Sequence, residues 1–384
     1  MRLWVLLDQC LPSDEVNTMQ VVRTVEALTR INPDTQLFIP SAEAPPAVPQ
    51  TLKDIAHYYG TTTPLNIHAV PTHVGQVAKV RLEKLVHPWR VRHWINGTRP
   101  DLIYTRNFPA AILGLSHGIP VVYETYRLLA GGFAALKPLV RTFGAQKNVK
   151  AVVTHSEHAA RDWAQAGFPA AKLHSIHNGF DPTELQPVLD RDQARRQLGI
   201  DDARPWIVYT GHVQPHKGIE TLLDLAALTP EIQYQLIGTD AASAPYLELA
   251  RARHLTNCHF RPWMKTDAIV PWLYAADLTI ISPSSRPLKM GRTVLPIKVF
   301  TYLATGRPIV APDLPDIDGL LQPEKNVLLV PPDAPDRAAA AIRDLLADPQ
   351  RLANIAAGAL ETASHLTWDA RAQKLFDLFQ TAVA

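Results

Sequence analysis

Thr293-Val-Leu-Pro-Ile-Lys-Val-Phe-Thr301-Tyr-Leu-Ala-Thr-Gly-Arg-Pro-Ile-Val-Ala311 reads as a loop, a helix entered at Pro296, a turn at Gly306 and a buried strand over 308–311. Proline suits a first helical position because the N–H it lacks would have no partner there in any case. Ile297, Phe300 and Ala304 fall on one helix face, which assigns that face to the core and leaves the helix start open. A loop feeding a helix N-terminus in an α/β protein is where anions and nucleotides bind.

On either side of this stretch, short apolar runs alternate with longer helical patterns almost throughout, which argues for parallel sheets covered by helices. The first half offers strands at 3–7, 36–39, 102–104, 121–123 and 151–154, with a helix over 17–30 that turns Val21, Val25 and Leu28 inward. The order then restarts with strands at 207–210, 234–237, 259–260, 278–281, 308–310 and 327–330. Segment 181–205, rich in Pro, Asp and Arg, separates the two sets and reads as a linker. The expectation is an α/β chain of two Rossmann-like doubly wound domains, 1–185 and 186–365, facing across a cleft. The tail 366–384, helical over about 368–381, is expected to pack back on the first domain.

Composition narrows the class. At 384 residues the chain is too long for one ordinary domain, and 47% apolar with 19% charged residues describes a globular protein with a sizeable core. A net charge of +2 is too small for wholesale nucleic-acid binding. The early apolar run 3–7 is too short for a signal-peptide core or a membrane span. Cys10 and Cys258 lie far apart without metal-like spacing, which fits a reducing cytosol.

Trp206-Ile-Val-Tyr-Thr-Gly211-His-Val-Gln-Pro-His-Lys217-Gly218 runs from a strand through a glycine turn into an amphipathic helix. Gly211 allows close backbone approach, and the charge of Lys217 adds to the helix dipole. By itself this is either a diphosphate site or a solvated lysine at an ordinary turn. The Lys-Gly order excludes a Walker A loop, and no G-x-G-x-x-G fingerprint follows a first strand, which disfavours a dehydrogenase.

Gly211-His-Val-Gln-Pro-His-Lys-Gly218 resembles the G-(R/H/S)-x-x-x-x-K-G loop of nucleotide-sugar glycosyltransferases of family 4, which have the GT-B fold. Ser13-Asp-Glu-Val-Asn17-Thr18, Asp101-Leu-Ile-Tyr-Thr-Arg106, Gly118-Ile-Pro-Val-Val-Tyr-Glu124 and Val153-Thr-His-Ser-Glu157 follow the family in the same order. So do Asn178-Gly-Phe-Asp181, Tyr274-Ala-Ala-Asp277 and Thr367-Trp-Asp-Ala-Arg-Ala372. The resemblance spans nearly the whole chain. It implies sugar transfer from a nucleotide diphosphate to a glycan, lipid-linked or protein acceptor, with retention of configuration and with neither metal nor cofactor.

On the donor side, the resemblance places the diphosphate at Gly211, His212 and Lys217. The family's permanent second cation is absent at His212. Arg292 either replaces it or is an exposed loop arginine. Where the family carries Glu-x7-Glu, this chain has Thr293, beside the transferred sugar, and Thr301, at the ribose. Backbone N–H groups of Val294, Leu295 and Ile297 are expected at the donor sugar. Arg261 and Trp263 fall in the nucleobase loop, Trp263 being a stacking face or a residue packed under the loop. The threonine pair leaves three readings: an altered donor, a charge supplied from elsewhere, or binding without turnover. A sugar-nucleotide epimerase would need cleft carboxylates and a histidine that cannot be placed.

On the acceptor side, Tyr126 stands where the family often has histidine, and tyrosine is a poor general base near neutral pH. In retaining members the leaving diphosphate is held to deprotonate the acceptor itself, so Thr293, Tyr126 and Arg292 are the residues placed nearest the reaction. Ser13, Asn17, Arg106 and Glu124 are read as acceptor-positioning groups; His155 and Ser156 end a strand and serve either the site or the loop. Segment 79–94 mixes five basic residues with two tryptophans, as a surface for anionic lipid or as a solvated basic helix.

Overall fold

The computed structural model describes residues 1–13, 15–41, 55–72, 83–126, 137–289, 296–317 and 319–384. It divides into two compact units, Met1–Asn178 with Trp368–Ala384, and Gly179–Thr367. The first unit is built on strands β1 (Leu3–Leu6), β2 (Thr35–Ser41), β3 (Asn66–Pro71), β4 (Leu102–Thr105), β5 (Val121–Thr125), β6 (Val149–Thr154) and β7 (Leu173–Ser175). The second carries β8 (Trp206–Thr210), β9 (Gln233–Thr239), β10 (Cys258–Pro262), β11 (Leu278–Ile280), β12 (Ile309–Pro312) and β13 (Val327–Val330).

Each unit is one parallel sheet. The orders are β3-β2-β1-β4-β5-β6-β7 and β10-β9-β8-β11-β12-β13. Parallel strands need crossover connections, and their central members are buried on both faces, so they read as continuous apolar runs. β1 and β8, with every residue buried, are the clearest cases. In both sheets the order reverses beside the first strand, between β1 and β4 and between β8 and β11. Ligands of doubly wound sheets bind in the crevice outside the strand ends at such a reversal.

Every strand expected from the sequence is present, and two more appear. β3 and β7 are edge strands of half-buried residues, without the apolar run that marks a central strand. The expected linker 181–205 is corrected: it is a packed part of the second unit. Helix Arg191–Gln197 buries Ala194 and Arg195. The Arg195 guanidinium bonds Asp277 at 2.7 Å and the Ala275 carbonyl at 3.0 Å and lies 5.3 Å from the Trp206 ring centre. One of the arginines that gave the segment its polar look, Arg195, is paired in the interior.

Pro296 is also moved. The helix runs Lys298–Ala304 with Ile297 at its N-cap, so Pro296 lies before the cap and only its carbonyl takes part, accepting from Val299 N–H at 3.0 Å. Its buried face is Val299, Phe300, Tyr302 and Leu303, with Ile297 and Ala304 at the margin of the core. The chain enters and leaves the second unit through paired segments, Phe180 N–H donating to the Leu366 carbonyl at 3.0 Å. Helix Trp368–Val383 then packs on helix Val16–Ile31 of the first unit. Arg30 reaches Asp369 at 2.5 Å, and Phe379 meets Tyr104 with ring centres 5.2 Å apart.

Candidate functional site

In the first unit, the ends of β4, β5 and β6 bring Arg106, Glu124 and His155 together. Glu124 is buried, and one of its oxygens, Oε1, takes three donors: Arg106 at 2.7 Å, His155 Nε2 at 2.6 Å and Arg371 at 2.6 Å. Burial alone would raise the Glu124 pKa, but Arg371 and His155 outweigh it and hold the carboxyl below its usual value. Burial pushes His155 down to about 4, against the pull of Glu124, so the ring is neutral near pH 7. A neutral ring that donates from Nε2 to Glu124 must accept at Nδ1, where the Asn178 amide stands at 3.3 Å. Ser156 is the N-cap of helix Glu157–Gln165, accepting from Ala159 N–H.

Arg106 continues the network outward, donating to Asn17 and, at 3.1 Å, to Gln20. Asn17 in turn donates to Gln9 at 3.1 Å. Tyr126 lies over His155 with ring centres 6.0 Å apart and is 39% exposed. Ser13 is tied elsewhere: its N–H donates to the Tyr59 hydroxyl at 2.9 Å, and its own hydroxyl accepts from Glu15 N–H. Asn17, Arg106, Glu124 and Tyr126 are therefore gathered around His155, while Ser13 is held in the neighbouring loop. Because Glu124 is buried, it acts by holding Arg106 and His155 in place.

In the second unit, the turn after β8 forces two glycines. Gly211 has φ 123°, and a Cβ on Gly238 would stand 2.5 Å from the Gly211 carbonyl oxygen. Gly218 caps helix Ile219–Leu228 in the left-handed region, φ 67°, with Lys217 just before it. His212 is exposed, its Nδ1 3.6 Å from the Asp240 carboxylate. A cavity of about 300 Å³ opens at this helix mouth, lined by Gly218, Thr221, Ser284 and Arg286 among others. Thr301 is half-buried in helix Lys298–Ala304.

Arg261 is differently engaged from the expectation. Its guanidinium bonds Gln235 at 2.8 Å and stacks 3.9 Å from the Trp272 ring centre. Trp263 is 61% exposed, so it is not packed under the loop. Arg292, Thr293, Val294 and Leu295 lie outside the described residues. Among the described residues, no three His, Cys, Asp or Glu side chains are grouped to hold a metal ion.

Two residues of these clusters are not read as site residues from the sequence. Arg371 sits 247 positions from the Glu124 it binds, and only its place in the quoted Thr367–Ala372 motif marked it. Lys298 lies within segment 293–311, yet helical periodicity does not show where its long side chain turns.

The glycine turn, the lysine at a helix mouth and the paired parallel sheets meet two family descriptions. Residues 204–348 match the family described as "Glycosyl transferases group 1", and residues 19–184 match "Glycosyltransferase Family 4". The chain belongs to glycosyltransferase family 4. A protein of Rhodococcus erythropolis named D-inositol 3-phosphate glycosyltransferase is 26% identical over 294 residues, 69% of this chain and 63% of that protein. The match thus spans less than two thirds of that relative. A namesake from Catenulispora acidiphila is 24% identical over 76% of this chain and 71% of its own length.

Among solved structures, Anabaena HepE in complex with UDP superposes with a TM-score of 0.75 at 19% identity, covering 99% of this chain and all of that one. Sucrose-phosphate synthase of Thermosynechococcus elongatus gives 0.74 at 18%, covering 99% of both. At these identities the likeness establishes the fold, and the fold is GT-B.

Proposed function

We propose that this family 4 member transfers a sugar from a nucleotide diphosphate to an acceptor hydroxyl, with retention of configuration and without a metal ion. The observation that carries the reading is the turn after β8. It sets Gly211 and Lys217 at the mouth of a helix, on the strand beside which the sheet order reverses. As the glycosidic bond breaks, negative charge grows on the departing diphosphate, and a fixed lysine stabilises that charge more than it stabilises the ground state. The acceptor hydroxyl loses its proton to a diphosphate oxygen on the same face, so neither the neutral His155 ring nor the Tyr126 side chain is needed as a base. In the first unit, Arg106, held by Glu124 and Asn17, orients the acceptor. The test is release of nucleoside diphosphate from a panel of nucleotide sugars, with D-inositol 3-phosphate among the acceptors because two relatives bear that name. Activity is expected in EDTA and is expected to fall at least about tenfold in Lys217→Ala, the loss of one charged hydrogen bond. Full activity in Lys217→Ala defeats the reading.

A second reading, donor binding with little turnover, rests on threonine at position 301 where the family has a carboxylate. Calorimetric binding of a donor that no acceptor discharges would favour it. Peripheral membrane contact belongs to the proposal too. On helix Glu83–Ile95, Leu85 is 55% and Trp89 54% exposed, with Arg92 4.2 Å from the Trp89 ring centre. Lys84 and Arg90 turn inward, to Asp8 and to the Pro71 carbonyl. Among the described residues no helix is long and apolar enough to cross a membrane. Co-sedimentation with anionic vesicles that survives Leu85→Ser with Trp89→Ala would remove this contact.

A further inference from the structure

The diphosphate reading leaves a charge unaccounted for. His212 faces Asp240, its Nδ1 3.6 Å from that carboxylate. Lys298 enters the same place from the other side of the sheet reversal, at the first residue of the helix between β11 and β12. Its Nζ stands 3.6 Å from the centre of the Tyr209 ring and 3.0 Å from where a Cβ on Gly211 would be. The Tyr209 hydroxyl donates to the His212 carbonyl at 3.2 Å, which locks ring and loop together. Among the described residues, Lys298 has no hydrogen-bond or salt-bridge partner. Burial, and then the charge of Lys217, hold its ammonium well below the usual lysine value. Lys298 is thus set over a ring face instead of a carboxylate, at the same glycine turn that leads to Lys217.

We infer that Lys298 is the second basic group of the diphosphate site, acting with Lys217 across the Gly211 turn. This rests on the nucleotide-diphosphate reading above and adds the residue that stands in for the family's missing basic partner at His212. The ligand class is a diphosphate, and its oxygens bridge the ammonium of one lysine after β8 and of another after β11. Such a bridge relieves the repulsion between the lysines and favours the charged form of Lys298, so binding is coupled to proton uptake where that lysine titrates.

The experiment titrates inorganic pyrophosphate, UDP and GDP calorimetrically into the full chain and into Lys298→Met, Lys298→Arg and Lys217→Ala. Lys298→Met keeps the aliphatic stem on Tyr209 and is expected to bind pyrophosphate and the preferred nucleotide at least about tenfold more weakly. Lys298→Arg is expected to recover part of that loss. Across a series of pH values, in buffers of different ionisation enthalpy, the native chain takes up more protons on binding than Lys298→Met does. The unliganded Met variant is expected to melt no lower than the native chain, because it has lost an unpaired cation from a desolvated place. Unchanged binding in Lys298→Met beside weakened binding in Lys217→Ala overturns this inference and leaves the proposed function standing. No binding of any probe to the native chain, or unchanged binding in Lys217→Ala, overturns the proposed function and this inference with it.

Discussion

Glu124 in the first unit gathers two guanidinium groups and a histidine on one buried oxygen, whereas Lys298 in the second has a ring face and a second lysine for company. Both places lie at strand ends of a doubly wound sheet, where ligands bind. The first resolves its charges internally and so fixes geometry before any substrate arrives. The second sets Lys298 against a ring face, and on the inference above its counter-charge arrives with a ligand. Removing a charge should therefore damage the fold in the first unit and the affinity in the second.

The largest expected effect follows from taking away the shared carboxylate. Glu124→Ala leaves Arg106 and Arg371 buried beside each other, and breaking a buried ion pair by deleting one partner costs about 3–5 kcal/mol. Urea unfolding monitored in the first unit reads it. A loss under about 1 kcal/mol would mean that the network is solvated, and the contrast between the units would fail.

Acid should act on the same unit. His155 and His87 are both held at about 4 by burial, although Glu124 and Asp8 respectively pull upward. Both nitrogens of His87 are buried without a partner among the described residues. Between pH 6.5 and 4 the unfolded chain binds protons that the folded chain refuses, so stability falls with pH by up to about 1.4 kcal/mol per unit for each histidine. Below the usual glutamate range, protonation of Glu124 adds to the loss, since its folded value is the lower one. Stability measured against pH should lose part of this slope in His155→Gln; an unaltered slope would mean the ring titrates as if exposed.

The contrast also explains what could be read in advance. The second sheet was legible strand for strand because its central members are short runs buried on both faces, as Trp206–Thr210 is. Edge strands Asn66–Pro71 and Leu173–Ser175 escaped because half-buried residues leave no apolar run. Segment 181–205 passed for a linker since a sequence does not distinguish a solvated arginine from Arg195 bonded to Asp277. At the site, Gly211 and Lys217 are local to one turn and could be seen. Arg371 and Lys298 meet their partners across 247 and 89 positions respectively, Lys298 over Tyr209, and such meetings belong to topology.

The smallest expected effect is the sharpest probe of the second unit. Thr301 is half-buried in the helix that begins with Lys298, so a side chain there shares its environment with the cation. Thr301→Glu restores the family's carboxylate, and a charged acceptor for ribose hydroxyls is worth about 1 kcal/mol more than a neutral one. Nucleotide affinity should then rise about fivefold, while inorganic pyrophosphate, which has no ribose, should gain nothing. The two ligands separate the possible causes. If pyrophosphate weakens in Thr301→Glu, the new carboxylate has paired with Lys298 and taken the place of the diphosphate. If both ligands are unmoved, position 301 does not face the ribose, and the threonines belong to a rebuilt donor site.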